Sequence, residues 1–170
     1  MRKNDQNIGE VLPATEQKNY IQFHEQAYEE DLKHAEHNSL KFPRWSIISG
    51  YYAMHDITKL FLAKKFNIKI VSPDIHAKTI LAVEEVITNL ELKTTLIGLL
   101  QEAKATYYNI ERLKEKSLPL LLKKGKQERG KAQYYTQDYH DKNDINAQKA
   151  VYFIEEIVKP YITLIRGLLK

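Results

Sequence analysis

R-W-S-I-I-S-G-Y-Y-A-M-H-D-I-T-K-L-F-L-A-K-K, residues 44 to 65, decides the fold. Trp45, Ile47, Ile48, Tyr51, Tyr52, Ala53, Met54, Ile57, Leu60, Phe61 and Leu62 lie nearly all round a helix wound at 3.6 residues per turn. A helix apolar on every side has no face for water and belongs in the centre of a bundle. Pro43, just before it, suits a first helical turn, where a backbone donor is spare anyway.

Outward from this segment the chain reads as further helices. A helix is expected from Thr15 to Lys41, with Ile21, His24, Tyr28, Leu32 and Ala35 on one stripe at steps of three and four. A loop follows from Phe66 to Val71. Ser72 then has the form of a cap for a third helix, with Pro73 at its first position and Asp74 behind it. A fourth helix runs from Leu92 to Lys116 on the repeat Leu92, Leu96, Leu99, Ala103, Thr106, Ile110 and Leu113. Pro119 is expected to interrupt it before another helical stretch, Leu120 to Tyr134. The last helix starts near Asn143 or Asp144 and carries Ala147, Val151, Ile154, Val158, Tyr161, Ile165 and Leu168, with a kink at Pro160. The fold class is therefore all-α, an up-and-down bundle of five to six helices. Residues 1–14 read as a flexible leader and 15–170 as one domain.

Bulk properties agree. A chain of 170 residues is one domain in size. Six glycines and five prolines leave little punctuation for short strands. There is no cysteine, hence no disulfide or thiolate chemistry. No apolar run approaches the roughly 20 residues needed to span a bilayer, and no signal-peptide pattern opens the chain. A cytoplasmic protein without a membrane partner is expected. The net charge is +4. Lys123, Lys124, Lys126, Arg129 and Lys131 against Glu128 form a local cluster of that size, a feature that suits an anionic partner.

Several patterns bear on chemistry. Gly125 to Ala132 matches a phosphate loop up to its last residue, but Ala132 lacks the hydroxyl that would hold magnesium, and no strand precedes it. Glu30, His34 and His37 share a helix face at ligand spacing, yet that face is expected to be polar and open, so neither a metal nor any other cofactor is expected. His24 and His76 fall on apolar stripes, where hydrogen-bonded buried histidines are the usual occupants. His55 and Asp56 are sequence neighbours, which point about 100° apart on a helix and form no dyad. Lys-Ala-x-Tyr-Tyr occurs at 104–108 and again at 131–135, too short to make a repeat. Glu128 to His140 combines cations with tyrosines. Aromatic rings stack on bases while arginine and lysine hold phosphates.

Two of these stretches carry a family resemblance. Ser49 to Lys65, followed by His76-Ala77, resembles the aromatic-alanine helix of the HEPN family (higher eukaryotes and prokaryotes nucleotide-binding helical domain). R-G-K-A-Q-Y-Y, residues 129–135, is similar to that family's arginine motif. The resemblance runs from about residue 16 to the C-terminus. It implies a small helical bundle, often dimeric and often directed at RNA. Some members are metal-independent ribonucleases, including toxins paired with a nucleotidyltransferase-like antitoxin. Their signature is an arginine followed, after four to six residues, by a histidine. The arginine steadies the phosphate and the histidine moves a proton. Here Arg129 matches, but Tyr134, Tyr135 or Thr136 stands where the histidine would be, and His140 lies outside the motif. Tyrosine, with a reference pKa near 10, is a poor base at neutral pH.

Three readings follow from the sequence. The first is a non-catalytic or weakly catalytic HEPN-like protein that binds a nucleotide, RNA or a protein partner. Its candidate contacts are Arg129, Lys131, Tyr134, Tyr135, Lys126, Tyr51 and Tyr52. The second is a metal-independent endoribonuclease, with Arg129 as clamp and Tyr134 or His140 as proton carrier. The third is a protein-interaction module with no nucleic-acid role. A homodimer is expected because the apolar surfaces of the second and last helices exceed what one small bundle would cover.

Overall fold

The computed structural model describes residues 8–127 and 146–170, with side chains for 8–112 and 146–170. Arg129, Lys131, Tyr134, Tyr135 and His140 lie outside the described residues, as does the side chain of Lys126. The described chain is an all-α bundle with one minimal pair of strands.

Helix α1 (Ala14–Asn38) packs along α2 (Pro43–Phe66) as an antiparallel hairpin. The stripe expected on α1 is the one that faces α2, with His24, Tyr28 and Ala35 buried and Ile21 and Leu32 half-buried. Ser46 Oγ donates to the Ala35 carbonyl at 2.6 Å and closes the corner.

Helix α2 occupies the centre. From Ser46 to Ala63 every residue is buried except Tyr52, which is exposed, and Lys59, which is half-buried. Burying one large apolar side chain of this kind contributes roughly 1.5–3 kcal/mol, so α2 is the main source of hydrophobic stabilisation. It ends where Asn67 turns left-handed (φ 57°) and returns its backbone N–H to Ala63. Asparagine tolerates that conformation better than most residues.

The leader is more than loose chain. Strand β1 (Glu10–Val11) pairs antiparallel with β2 (Ile68–Lys69), and Leu12 is buried beside it, with its N–H on the Asn67 carbonyl. The expectation of a flexible segment up to residue 14 is thus corrected from residue 8 onward. Gly9 makes the pairing feasible, because a Cβ there would sit 2.8 Å from the Lys69 carbonyl oxygen.

Helix α3 (Ile75–Val86) begins later than Ser72 and Pro73 suggest. Those two residues form a bend, Asp74 is left-handed (φ 60°), and the first helical bond runs from Lys78 N to Asp74 O. Ser-Pro-Asp satisfies turn chemistry as well as cap chemistry, and the bend prevails. Helix α4 (Leu90–Gln127) starts on an Asn89 cap, whose side chain accepts from Leu92 N at 2.9 Å. Its 38 residues continue through Pro119, so the expected interruption does not occur. A proline deletes one backbone donor at a cost of about 3 kcal/mol, and turns on both sides hold the helix.

The last helix is described from Ala147, capped by Asn146; Asn143 and Asp144, near which its start is expected, lie outside the described residues. The Asn146 side chain accepts from Lys149 N at 2.9 Å. It runs as α5 (Ala147–Tyr152), a π-helical turn (Phe153–Val158) and α6 (Lys159–Leu169). The Lys159 N–H reaches the Ile154 carbonyl, five residues back. This wider winding sits directly before Pro160, which has no N–H to give, and it absorbs the proline without breaking the helix. The π turn also rotates the residues before it. The buried stripe is Ala150, Phe153, Ile154, Ile157, Val158, Tyr161, Ile162 and Ile165, while Val151, expected on the stripe, is exposed.

Helix α2 meets this stripe at Gly50. A Cβ there would lie 2.8 Å from Ile154 Cδ1, 3.0 Å from Val158 Cγ2 and 3.2 Å from Phe153 Cε1. Two helices approach this closely only where one side chain is missing. Gly50→Val is expected to destabilise the fold by about 1–3 kcal/mol, as overpacking does. Urea unfolding measures it, and an unchanged midpoint would show that α2 and the π turn are not in close contact.

Candidate functional site

Helices α2, α3 and α4 bring Tyr51, Tyr52, His55, His76, Tyr107 and Tyr108 together. Tyr51 stacks on Tyr107, with centroids 4.4 Å apart and planes at 18°. It also stacks on His76 at 5.2 Å and 26°. His55 stands edge-on to Tyr51 at 4.6 Å and to His76 at 4.5 Å. The rim is polar, with the Tyr52 and Tyr107 hydroxyls 3.2 Å apart. Tyr108 turns outward, and Lys104 Nζ lies 5.8 Å from its ring centroid.

Two layers result. The floor is sealed, because Tyr51 and His55 are buried. The surface is open, since Tyr52 is 38% exposed and Tyr108 is 48% exposed. Tyr51 was expected to offer a stacking face, and burial rules that out. Tyr52 keeps that capacity, joined by Tyr108, which the sequence reading passed over. The echo of Lys-Ala-x-Tyr-Tyr at 104–108 was the available signal. It places a cation one helical turn before two adjacent rings, the first of which stacks on Tyr51.

Electrostatics keep the floor neutral. Desolvation holds the His55 imidazole well below its usual range, helped by His76, Lys59 and Lys104. Desolvation lowers His76 too, with the same two lysines adding to it. Burial pushes the Tyr51 and Tyr107 phenols upward. At neutral pH the cluster therefore offers uncharged imidazoles and protonated phenols, which are hydrogen-bonding groups and not bases poised to titrate. Both ring nitrogens of His55, Nδ1 of His76 and the Tyr51 hydroxyl have no hydrogen-bond partner among the described residues.

A separate groove of about 390 Å³ lies between α4 and the start of α5, lined by Glu102, Thr106, Lys149, Tyr152 and Asn146 among others, and by none of the six aromatic side chains of the cluster. Asn146 is where the chain that carries Arg129 re-enters the described structure.

The other histidines have separate surroundings. His24 Nδ1 lies 2.8 Å from Asp56 Oδ1, and Lys59 lies 3.4 Å from the same oxygen. His55 and Asp56 thus face different partners, as neighbours on a helix must. Burial and the nearby Asp56 charge push the Asp31 carboxyl up to about 6. Glu30, His34 and His37 are exposed, as expected of an open face; His34 Nδ1 also meets Ser49 Oγ of α2 at 2.7 Å, and His37 Nδ1 lies 2.8 Å from the Lys33 carbonyl one turn back. No group of three ligand-type side chains converges among the described residues, and no helix among them is long and apolar enough to cross a membrane.

The His55 environment sets an acid dependence. Its folded pKa is lowered, so the unfolded chain binds the proton first. Stability is full above about pH 6.5, the unfolded value, and falls as pH drops from there toward the folded pKa. His55→Leu removes that linkage. Urea midpoints compared at about pH 7.5 and 5.5 should fall less in the variant than in the wild type. Equal losses in both would show that His55 does not titrate with folding.

No family model, curated protein or solved structure matches this chain.

Proposed function

We propose that the chain is a HEPN-like binding protein, non-catalytic or weakly catalytic, that takes a nucleotide or single-stranded RNA against the α2–α4 tyrosine face. The observation that carries this reading is the pair of outward rings, Tyr52 and Tyr108, with Lys104 over one of them. Open rings accept bases of any sequence, and a lysine beside them draws the phosphate backbone. Arg129, Lys131, Tyr134 and Tyr135 would supply the main phosphate grip and further stacking, with Lys126 widening the positive field. Their segment precedes Asn146, where the described structure resumes. The protein would act in the cytoplasm.

The resemblance also implies a homodimer and a nucleotidyltransferase-like partner. One chain covers both α2 and the α5–α6 stripe by itself, so self-association would use other surfaces than those the sequence suggested. The ribonuclease reading draws on His76, a half-buried imidazole at this face. It would have to stand in for the histidine missing after Arg129.

Fluorescence anisotropy with labelled single-stranded RNA at two salt concentrations tests the reading. Affinity should fall steeply as salt rises. Arg129→Ala and Tyr108→Ala should each weaken binding more than Lys123→Ala, because a guanidinium grips phosphate bidentately and a ring stacks, while a lone lysine does neither. Cleavage in EDTA should be slow or absent. Binding that ignores salt, or none, would leave the protein-interaction reading. Cleavage in EDTA abolished by Arg129→Ala and His76→Ala would promote the ribonuclease.

A further inference from the structure

The corner between α1 and α2 reads L-K-F-P-R-W, residues 40–45. Leu40 is 72% exposed, Phe42 57% and Trp45 52%. The backbone fixes this corner: Phe42 N–H donates to the Asn38 carbonyl and Ser46 N–H to the Phe42 carbonyl. The three large apolar side chains therefore project from a rigid turn. Two cations are interleaved with them. Lys41 is exposed, and the Arg44 guanidinium lies 5.7 Å from the Trp45 ring centroid. Neither cation is in an ion pair among the described residues. Glu36, an acid on the preceding helical turn, is already engaged by Lys159 at 3.2 Å.

We propose that this corner docks on an anionic lipid surface, with Leu40, Phe42 and Trp45 entering the headgroup boundary and Lys41 and Arg44 meeting lipid phosphates and carboxylates. Tryptophan and phenylalanine beside lysine and arginine is the composition that settles at a bilayer interface, and such a contact needs no spanning helix. Charge decides against a second copy. A two-fold contact centred on the corner would set Lys41 and Arg44 against their own images. Shape and chemistry decide against a nucleic acid, because the most exposed of the three, Leu40, has no ring to stack on a base.

Trp45 is the only tryptophan in the chain, so its emission reports on this corner alone. The test titrates the full chain with vesicles of phosphatidylcholine containing about 30% phosphatidylserine, and with pure phosphatidylcholine. A blue shift is expected with the anionic vesicles and little with the neutral ones, weakening as salt rises. Lys41→Gln with Arg44→Gln should lower the partition constant roughly thirtyfold, at about one surface cation's attraction each. Leu40→Glu, at a position too exposed to matter for folding, should abolish the shift by itself. No shift with anionic vesicles overturns the proposal. So does a shift that appears with protein concentration alone and tracks a doubling of mass, which would mark a self-contact. Emission quenched by a single-stranded oligonucleotide while vesicles do nothing would make the corner a nucleic-acid platform and overturn it too.

Discussion

Polar side chains on a helix that is surrounded by protein cannot be left to water. Helix α2 carries five buried ones, Ser46, Ser49, His55, Asp56 and Thr58, in a segment where nearly every other residue is apolar. An unpaired buried donor or acceptor costs on the order of 1–3 kcal/mol, so each must find a partner on a neighbouring helix. Ser46 takes the Ala35 carbonyl, Ser49 takes His34 and Asp56 takes His24, all on α1. Thr58 donates to the Met54 carbonyl, which leaves its oxygen to accept from Tyr161 on α6 at 2.6 Å. These bonds set the rotation of α1 and α6 around α2 more tightly than apolar packing alone would, because a hydrogen bond has a direction.

His55 is the exception, and its position locates the candidate site. Its two nitrogens go unpartnered in the one sector of α2 that faces α3 and α4, where aromatic rings replace hydrogen-bonding groups. The other four buried polar side chains of α2 find partners. Here the core tolerates an unresolved one, next to the only exposed ring between Ser46 and Ala63 of α2. Sequence-level rules are commonly broken where a protein does something other than fold. That is a reason to look at this face first, independent of any family likeness.

What the sequence made legible follows the same division. The central helix was readable because its apolar residues go all round, and His24 because it interrupts an otherwise apolar stripe. The misreadings fall where local signals compete. Ser72-Pro73-Asp74 fits a cap and a turn equally, and only the surrounding chain chooses. Pro119 is a breaker by local chemistry, yet one missing donor does not outweigh a long helix. Beside Pro160, where a kink is expected, the chain also changes its winding to a π turn, which no period of 3.6 anticipates. Tyr107 and Tyr108 look like ordinary helix residues until α2 is placed beside them, since their meaning depends on a contact 55 residues away. The sequence reading centred its site on residues 126–135, and of that stretch the structure shows only the backbone of the first two, Lys126 and Gln127.

The bond between Thr58 and Tyr161 spans 103 residues of chain, and Gly50 waits for the same distant partner. During synthesis the central helix therefore emerges long before the helix that seals its far side. At the usual elongation rate the gap is roughly 5–20 s, far longer than a helical hairpin takes to form. Through that interval α1 can shield one flank, while the Gly50–Thr58 flank remains an apolar strip open to other nascent chains. The price of placing the core on an early helix and its lid on the last one is a period of dependence on whatever the cell uses to keep unfinished chains apart.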